Sequence, residues 1–196
     1  MYPVGDLPAV IGMEASGVVE SLGEGVAGIA IGDRVAYPMP HGASSDVPLI
    51  GADKLEKSPE SISDETAAAM RLKGLTAHSL LIRTYPVQAG DSILVYAAAG
   101  GVGLLLCQWA NRLGANVIGC VGSEEKARLA KENGCHHTIL YREEDIPARV
   151  REITEGVGVA AAYDSIGQAN FDKSLDSLRP FGVLATYGAA SGPVEP

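Results

Sequence analysis

The chain has 196 residues, with 24 acidic against 15 basic side chains, a formal net charge of −9 and three cysteines. This acidic balance provides no basic patch for a polyphosphate backbone, so nucleic acid is excluded as an expected partner. The odd cysteine count argues against a disulfide scaffold. Since no signal peptide is recognised and no apolar run is long enough to span a bilayer, we expect a cytoplasmic protein without a membrane partner.

The first third of the chain shows loop signals followed by a helix. Glycine and proline cluster between Pro38 and Pro48, which predicts loops. The segment from Gly51 to Pro59 then leads into a helix that we expect to begin near Ser63.

The next element is a glycine turn between a strand and a helix. Ser92–Tyr96 is a short apolar strand, and an apolar helix over Val102–Leu113 follows. Against the dinucleotide pattern G-x-G-x-x-G, Ala98 takes the first glycine position, Gly100 the second and Gly103 the third. Gly100 would let the backbone approach a pyrophosphate, and Gly103 would let the helix pack closely on the strand. A turn that binds no ligand is the alternative interpretation.

Strands and helices alternate through the rest of the chain. The predicted strands are Asn116–Val121, His137–Tyr141, Ala160–Asp164 and Gly182–Tyr187, and the predicted helices are Ser123–Asn133, Ile146–Thr154 and Ala169–Leu178. This alternation implies right-handed crossovers and a parallel sheet covered on both faces. We therefore expect an α/β fold with a doubly wound sheet, which binds its ligand at the carboxyl ends of the strands.

The end of the second predicted strand of this sheet bears on which dinucleotide is preferred. NAD sites usually place Asp or Glu there, whereas this chain has Gly122 and Ser123, with Lys126 shortly after. Gly122 and Ser123 offer donors to a 2′-phosphate, and Lys126 offers a point charge. The alternative makes Ser123 a helix N-cap and Lys126 a solvated residue. A cation in the first helical turn opposes the helix dipole, so we favour the phosphate role for Lys126.

Seven segments of the chain, taken in this order, match sequence motifs of one known family. They are Ile11–Glu20, Gly32–Tyr37, Leu72–Ala77, Ala97–Gly103, Val121–Ala127, Tyr141–Asp145 and Tyr163–Gly167. Together they resemble the zinc-independent quinone oxidoreductases, the zeta-crystallin-like branch of the medium-chain dehydrogenase/reductase superfamily. The resemblance implies a partial GroES-like β domain with a connecting segment over residues 1–69. It also implies a Rossmann dinucleotide-binding domain over residues 70–196 that lacks its last strand.

The resemblance implies NADPH as the cofactor and a quinone as the small-molecule substrate. The residues that the resemblance implies as NADPH contacts are Thr76, Gly101, Val102, Gly122, Ser123, Lys126, Tyr141, Ser165, Tyr187, Gly188 and Ala189. Gly100 of the glycine turn is expected to contact the cofactor as well. Among them, Lys126 and Tyr141 are implied as the 2′-phosphate pair. Two alternatives stay open: an enoyl or alkenal reductase that acts on an enone, and a catalytically inactive NADPH-binding module.

We expect no metal site. Zinc-dependent relatives carry His where this chain has Met13, and Met does not ligate Zn²⁺ under ordinary conditions. Cys107, Cys120 and Cys135 are widely spaced and are interpreted as small core or surface residues.

The catalytic residues remain unassigned. A quinone or α,β-unsaturated carbonyl is electrophilic enough to need little more than orientation against the nicotinamide. Tyr37, Thr76, His78 and Ser79 are candidate proton donors by location. For each of them a packing or positioning role is the favoured interpretation, so no general acid is assigned.

The resembled family is longer than this chain, so we expect a chain truncated at both ends. Most of the GroES-like domain would be missing at the front. The sixth Rossmann strand, at the edge through which such enzymes usually dimerise, would be missing after Ser191–Pro193. Exposed sheet edges invite self-pairing, and a homodimer is therefore an open expectation.

Overall fold

The computed structural model describes residues 7–38 and 41–195, and the chain divides into two compact units between Leu75 and Thr76. The family resemblance predicts this boundary between residues 69 and 70. Met39 and Pro40 of the predicted loop lie outside the described residues. None of the helices in the described ranges is both long enough and apolar enough to cross a membrane.

The first unit contains a small antiparallel sheet. Strands β1 (Glu14–Val18), β2 (Arg34–Pro38) and β3 (Glu56–Lys57) lie in the order β1-β2-β3. A short 3-10 helix over Ala52–Lys54 precedes β3, and helix α1 (Asp64–His78) follows it. This β sheet agrees with the β domain that was predicted for the first part of the chain.

The second unit is built on a five-stranded parallel sheet. Its strands are β4 (Ser92–Val95), β5 (Asn116–Val121), β6 (His137–Leu140), β7 (Val159–Asp164) and β8 (Leu178–Thr186). They lie in the order β6-β5-β4-β7-β8, and every neighbouring pair is parallel. Because the order runs outward from β4 in both directions, the sheet is doubly wound, and the predicted α/β fold class is confirmed.

Helices cover both faces of this sheet. They are α2 (Gly101–Arg112), α3 (Glu124–Glu132), α4 (Ile146–Ile153) and α5 (Phe171–Ser177). Buried residues of α2 and α3 join one hydrophobic cluster, whereas buried residues of α4 join a second cluster. These two clusters share the strands between them, so the sheet forms the middle layer of the unit.

Local signals in the sequence set the ends of several helices. The Ser123 hydroxyl accepts a hydrogen bond from the Lys126 amide at 3.3 Å, and the Asp145 carboxylate accepts one from the Ala148 amide at 2.9 Å. Both residues are therefore N-caps. Gly114, with a φ of +85°, follows the C-cap residue of α2, a position where glycine often ends a helix.

Strand β8 differs from its prediction because it begins at Leu178 rather than at Gly182. Val159 pairs with Leu178 and Ala161 pairs with Val183, so the residues between these pairs form a bulge. Proline and glycine at positions 180 and 182 indicate a turn in the sequence. On an edge strand the same residues can be held in a bulge, which the local sequence does not distinguish from a turn.

Candidate functional site

A cleft of about 450 Å³ lies at the carboxyl ends of β4, β5, β6 and β7. The residues that line it follow the ends of these strands or belong to the helices beyond them. They are Tyr96, Ala97, Ala99, Gly100, Cys120, Val121, Gly122, Lys126, Tyr141, Ile166, Ala169, Asn170 and Lys173. The connections diverge to opposite sides of β4 at this point, which is where doubly wound sheets bind ligands.

The turn after β4 brings the backbone close to the start of α2. Ala97 has a φ of +48°, and its carbonyl accepts a hydrogen bond from the Gly100 amide at 2.8 Å. A Cβ atom on Gly103 would lie 2.2 Å from the Ala97 carbonyl oxygen and 2.8 Å from the Ala98 carbonyl carbon. Only glycine fits at position 103, so its predicted role in close packing is confirmed.

A second feature of the cleft is a tyrosine ring that lies against a glycine. A Cβ atom on Gly122 would be 2.8 Å from the Tyr141 hydroxyl oxygen and 3.2 Å from its Cζ atom. The Tyr141 amide donates to the Val121 carbonyl at 3.2 Å, which continues the pairing of β6 with β5 beyond the end of the strand. The end of β5 and the residue after β6 therefore form one wall of the cleft.

Lys126 lies in the first turn of α3, beside this wall. The Lys126 amide donates a hydrogen bond to the Ser123 hydroxyl oxygen, so Ser123 is the N-cap of α3. This agrees with the alternative interpretation of Ser123 given from the sequence. No ion pair in the described part of the chain engages the Lys126 ammonium group. The ammonium group is thus available to an anionic ligand.

A buried carboxylate holds the segment that follows β7. The Asp164 Oδ1 atom accepts hydrogen bonds from the Ile166 amide at 2.7 Å and from the Gly167 amide at 3.2 Å. Burial raises the pKa of the Asp164 carboxyl, and the two amide hydrogen bonds act in the opposite direction. Its Oδ2 atom has no hydrogen-bond partner among the described residues. Asp164 therefore positions Ile166 at the cleft without lining it.

The structure brings some of the predicted cofactor-binding residues together at this cleft. Gly100, Gly122, Lys126 and Tyr141 line it. Gly101 and Ser123 directly follow lining residues in the chain and Val102 is the second residue after Gly100, but none of the three is a lining residue. Thr76 lies near the C-terminal end of α1 and does not line the cleft either.

Other predicted residues form a second group at the ends of β7 and β8. They are Ser165, Tyr187, Gly188 and Ala189. A Cβ atom on Gly188 would lie 2.7 Å from the Ser165 carbonyl oxygen, and the Ala190 amide donates to that oxygen at 3.3 Å. The Ser191 amide continues the pairing with a 2.7 Å bond to the Ile166 carbonyl. The two loops are thus joined by backbone hydrogen bonds next to the cleft.

The candidate proton donors do not gather at the cleft. Tyr37 is buried in β2, where burial raises the pKa of its hydroxyl. The His78 ring packs on Trp109 at a centroid distance of 5.7 Å, and Ser79 begins a π-helical turn after α1. None of these residues lines the cleft, so the general acid stays unassigned.

Sequence reasoning missed several of the residues that line the cleft. They are Tyr96, Cys120, Ile166, Ala169, Asn170 and Lys173. Ile166 follows a predicted strand end, which was a usable signal. Lys173 carries none, because it lies inside α5 and reaches the cleft only through the packing of that helix.

The cysteines are small buried residues, as predicted. Cys107, Cys120 and Cys135 are all free and buried. Burial raises the pKa of the Cys120 thiol, so this residue lines the cleft as a neutral group rather than as a nucleophile. The described residues form no cluster of three or more His, Cys, Asp or Glu side chains that could hold a metal ion.

Comparisons with protein families match both parts of the chain. Residues 1–81 match the alcohol dehydrogenase GroES-like domain, and residues 101–195 match the family described as zinc-binding dehydrogenase.

Individual relatives are similar over nearly the whole chain. A quinone oxidoreductase of Pseudomonas aeruginosa is 47% identical over 99% of this chain and 60% of its own length. A 2-haloacrylate reductase of Burkholderia sp. is 49% identical over 98% of this chain and 59% of its own length. The crystal structure of Escherichia coli quinone oxidoreductase complexed with NADPH is 46% identical, with a TM-score of 0.96 over 100% of this chain and 60% of that one. The chain thus spans about 60% of the length of these relatives.

Proposed function

The chain belongs to the quinone oxidoreductase family of the medium-chain dehydrogenase/reductase superfamily, and from this premise we propose that it binds NADPH and reduces a quinone. The observation that carries the proposal is the cleft, in which Gly100, Gly122, Lys126 and Tyr141 converge at the switch point of the sheet. The NADPH complex of the similar Escherichia coli enzyme supports the same choice of cofactor.

The residues of the cleft suit the two anionic parts of NADPH. The start of α2 at Gly100 would receive the pyrophosphate, because helix N-termini present backbone N–H groups to anions. Gly122, Lys126 and Tyr141 would receive the 2′-phosphate. No Asp or Glu lines the described cleft, so the acceptor that usually binds the ribose 2′-hydroxyl of NAD is missing there.

Hydride transfer from NADPH to a quinone requires little from the protein beyond the orientation of the two reactants. When bound, NADPH supplies a hydride from its nicotinamide ring. The loops after β7 and β8, joined by the hydrogen bond from the Ala190 amide to the Ser165 carbonyl, would hold the nicotinamide half of the cofactor and keep water away from it. A quinone accepts hydride without a Lewis acid, and the oxygen that gains negative charge would take a proton from solvent to complete the hydroquinone.

A second candidate is the reduction of an α,β-unsaturated carbonyl compound. It is favoured by the similarity to a 2-haloacrylate reductase, whose named substrate carries a double bond conjugated with a carboxyl group. A third candidate is an NADPH-binding module without turnover, since none of the candidate proton donors lines the described cleft. The homodimer and the cytoplasmic location remain predictions.

Titration of the purified chain with NADPH and with NADH, followed by addition of a simple quinone, tests the proposal. We expect NADPH to bind more tightly than NADH and to be oxidised when quinone is added. Lys126→Ala should weaken NADPH binding about tenfold and leave NADH binding unchanged. Oxidation by an enone but not by a quinone would favour the second candidate. Binding without turnover would favour the third, and failure to bind either dinucleotide would overturn all three.

A further inference from the structure

The charge of the cleft is opposite to that of the chain. The chain carries a net charge of −9. The charged residues that line the described cleft are Lys126 and Lys173, and no carboxylate is among its lining residues. Two cations with no opposing carboxylate create a local field that favours an anionic ligand. Lys126 was predicted from the sequence, whereas Lys173 has no role in the function proposed so far.

The two lysines come from opposite sides of the cleft. Lys126 lies on α3, which follows β5, and Lys173 lies on α5, which follows β7. Strands β5 and β7 are the two neighbours of β4 in the sheet. The lysines therefore flank the turn after β4, and Gly100 at the start of α2 belongs to this turn.

Lys173 lines the cleft together with Cys120 at the end of β5. Burial raises the pKa of the Cys120 thiol at the end of β5, and the positive charge of Lys173 acts on it in the opposite direction. Lys173 on α5 and Cys120 at the end of β5 thus line the same cleft. No ion pair in the described ranges engages its ammonium group.

We propose that Lys173 binds the pyrophosphate of the dinucleotide, while Lys126 binds the 2′-phosphate. This inference rests on the proposed function and assigns a second cation to the same cleft. Lys126 belongs to the helix after β5, and Gly122 directly follows that strand, whereas Lys173 belongs to the helix after β7, on the other side of β4. A ligand with both a pyrophosphate and a 2′-phosphate engages both lysines.

The two lysines can be told apart because NADH has the pyrophosphate and lacks the 2′-phosphate. The experiment measures the dissociation constants of NADPH and NADH for the full chain and for Lys173→Gln, Lys126→Gln and Lys131→Gln. Lys131 lies on α3 outside the lining of the cleft, so its variant controls for the loss of one positive charge. Lys173→Arg keeps the charge, and circular dichroism verifies that each variant is folded.

We expect Lys173→Gln to weaken NADPH and NADH binding by the same factor, about tenfold, and Lys173→Arg to restore most of the loss. Lys126→Gln should weaken only NADPH, and Lys131→Gln should weaken neither. Unchanged binding of both dinucleotides to Lys173→Gln would overturn the inference and leave the proposed function standing. A loss confined to NADPH would also overturn it, because Lys173 would then act on the 2′-phosphate. Failure of the unchanged chain to bind either dinucleotide would overturn the proposed function itself.

Discussion

The hydroxyl oxygen of Tyr141 lies 2.8 Å from the point at which a Cβ atom would stand on Gly122. The first residue follows β6 and the second follows β5, so the contact depends on the parallel pairing of these strands. Glycine at position 122 leaves room for the tyrosine ring at the wall of the cleft. The shape of this wall of the cleft therefore depends on the position of the Tyr141 ring, which any side chain at position 122 would displace.

Gly122→Ala should displace the Tyr141 ring, because the added methyl group would overlap the ring hydroxyl and Cζ atoms. The ring is half-exposed and can swing outward, so we expect the free energy of unfolding to change by less than about 1 kcal/mol. NADPH affinity should fall about three- to tenfold, while NADH affinity stays the same. Titration with both dinucleotides checks this, and an equal loss for both would contradict it.

Gly103→Ala should damage the fold rather than the ligand contacts. The new methyl group would overlap the backbone atoms of Ala97 and Ala98, which cannot move without distorting the turn. We expect a loss of about 2 to 3 kcal/mol in the free energy of unfolding. Gly74→Ala is the matched control, because Gly74 lies inside α1 and a Cβ atom there meets nothing within 4 Å. That variant should be as stable as the unchanged chain or up to about 1 kcal/mol more stable. Denaturant titration followed by circular dichroism compares them.

Asp164→Asn should change how stability depends on pH. Burial raises the pKa of the Asp164 carboxyl in the folded state, so the folded state binds its proton more tightly than the unfolded state does. Stability therefore falls as the pH rises from the unfolded-state pKa through the folded-state pKa. The variant has no charge to bury, keeps an oxygen for the Ile166 amide, and should be about 1 kcal/mol more stable at neutral pH.

Denaturant titrations across the acidic range test this behaviour, with Asp164→Ala as the control. The alanine variant loses the acceptor for the Ile166 and Gly167 amides and should be destabilised by about 1 to 3 kcal/mol. An advantage of the asparagine variant that grows toward acid pH would contradict the predicted sign.

Asp91 lies at the centre of a cluster of polar residues that connects the start of β4 with the bulge of β8. It accepts hydrogen bonds from the Tyr85 hydroxyl at 2.9 Å and from the Gln88 amide at 3.0 Å, and it pairs with Arg179 at 3.4 Å. Asp91→Ala should cost about 2 to 3 kcal/mol of unfolding free energy, because it leaves several donors without their acceptor. Arg179→Ala should cost about 1 kcal/mol, since the arginine is partly exposed. Equal losses in denaturant titrations would contradict this ranking.

Local signals predicted much of the second unit. The glycine turn, the cap at Ser123 and the alternation of strands with helices each depend on residues close together in the chain. The same reasoning identified Gly100, Gly122 and Lys126, because each follows a recognisable strand end. Tyr141 came from a family resemblance instead, since a tyrosine after a strand has no distinctive local pattern.

The sequence by itself determined the order of the elements, the parallel α/β class and the strand ends at which the cleft lies. It did so because periodicity, capping and turn chemistry act over a few residues. Only the tertiary structure decided that Tyr141 lies against Gly122, that β8 carries a bulge between Leu178 and Val183 and that Lys173 lines the cleft. These features are contacts between segments far apart in the chain, and packing alone sets their distances.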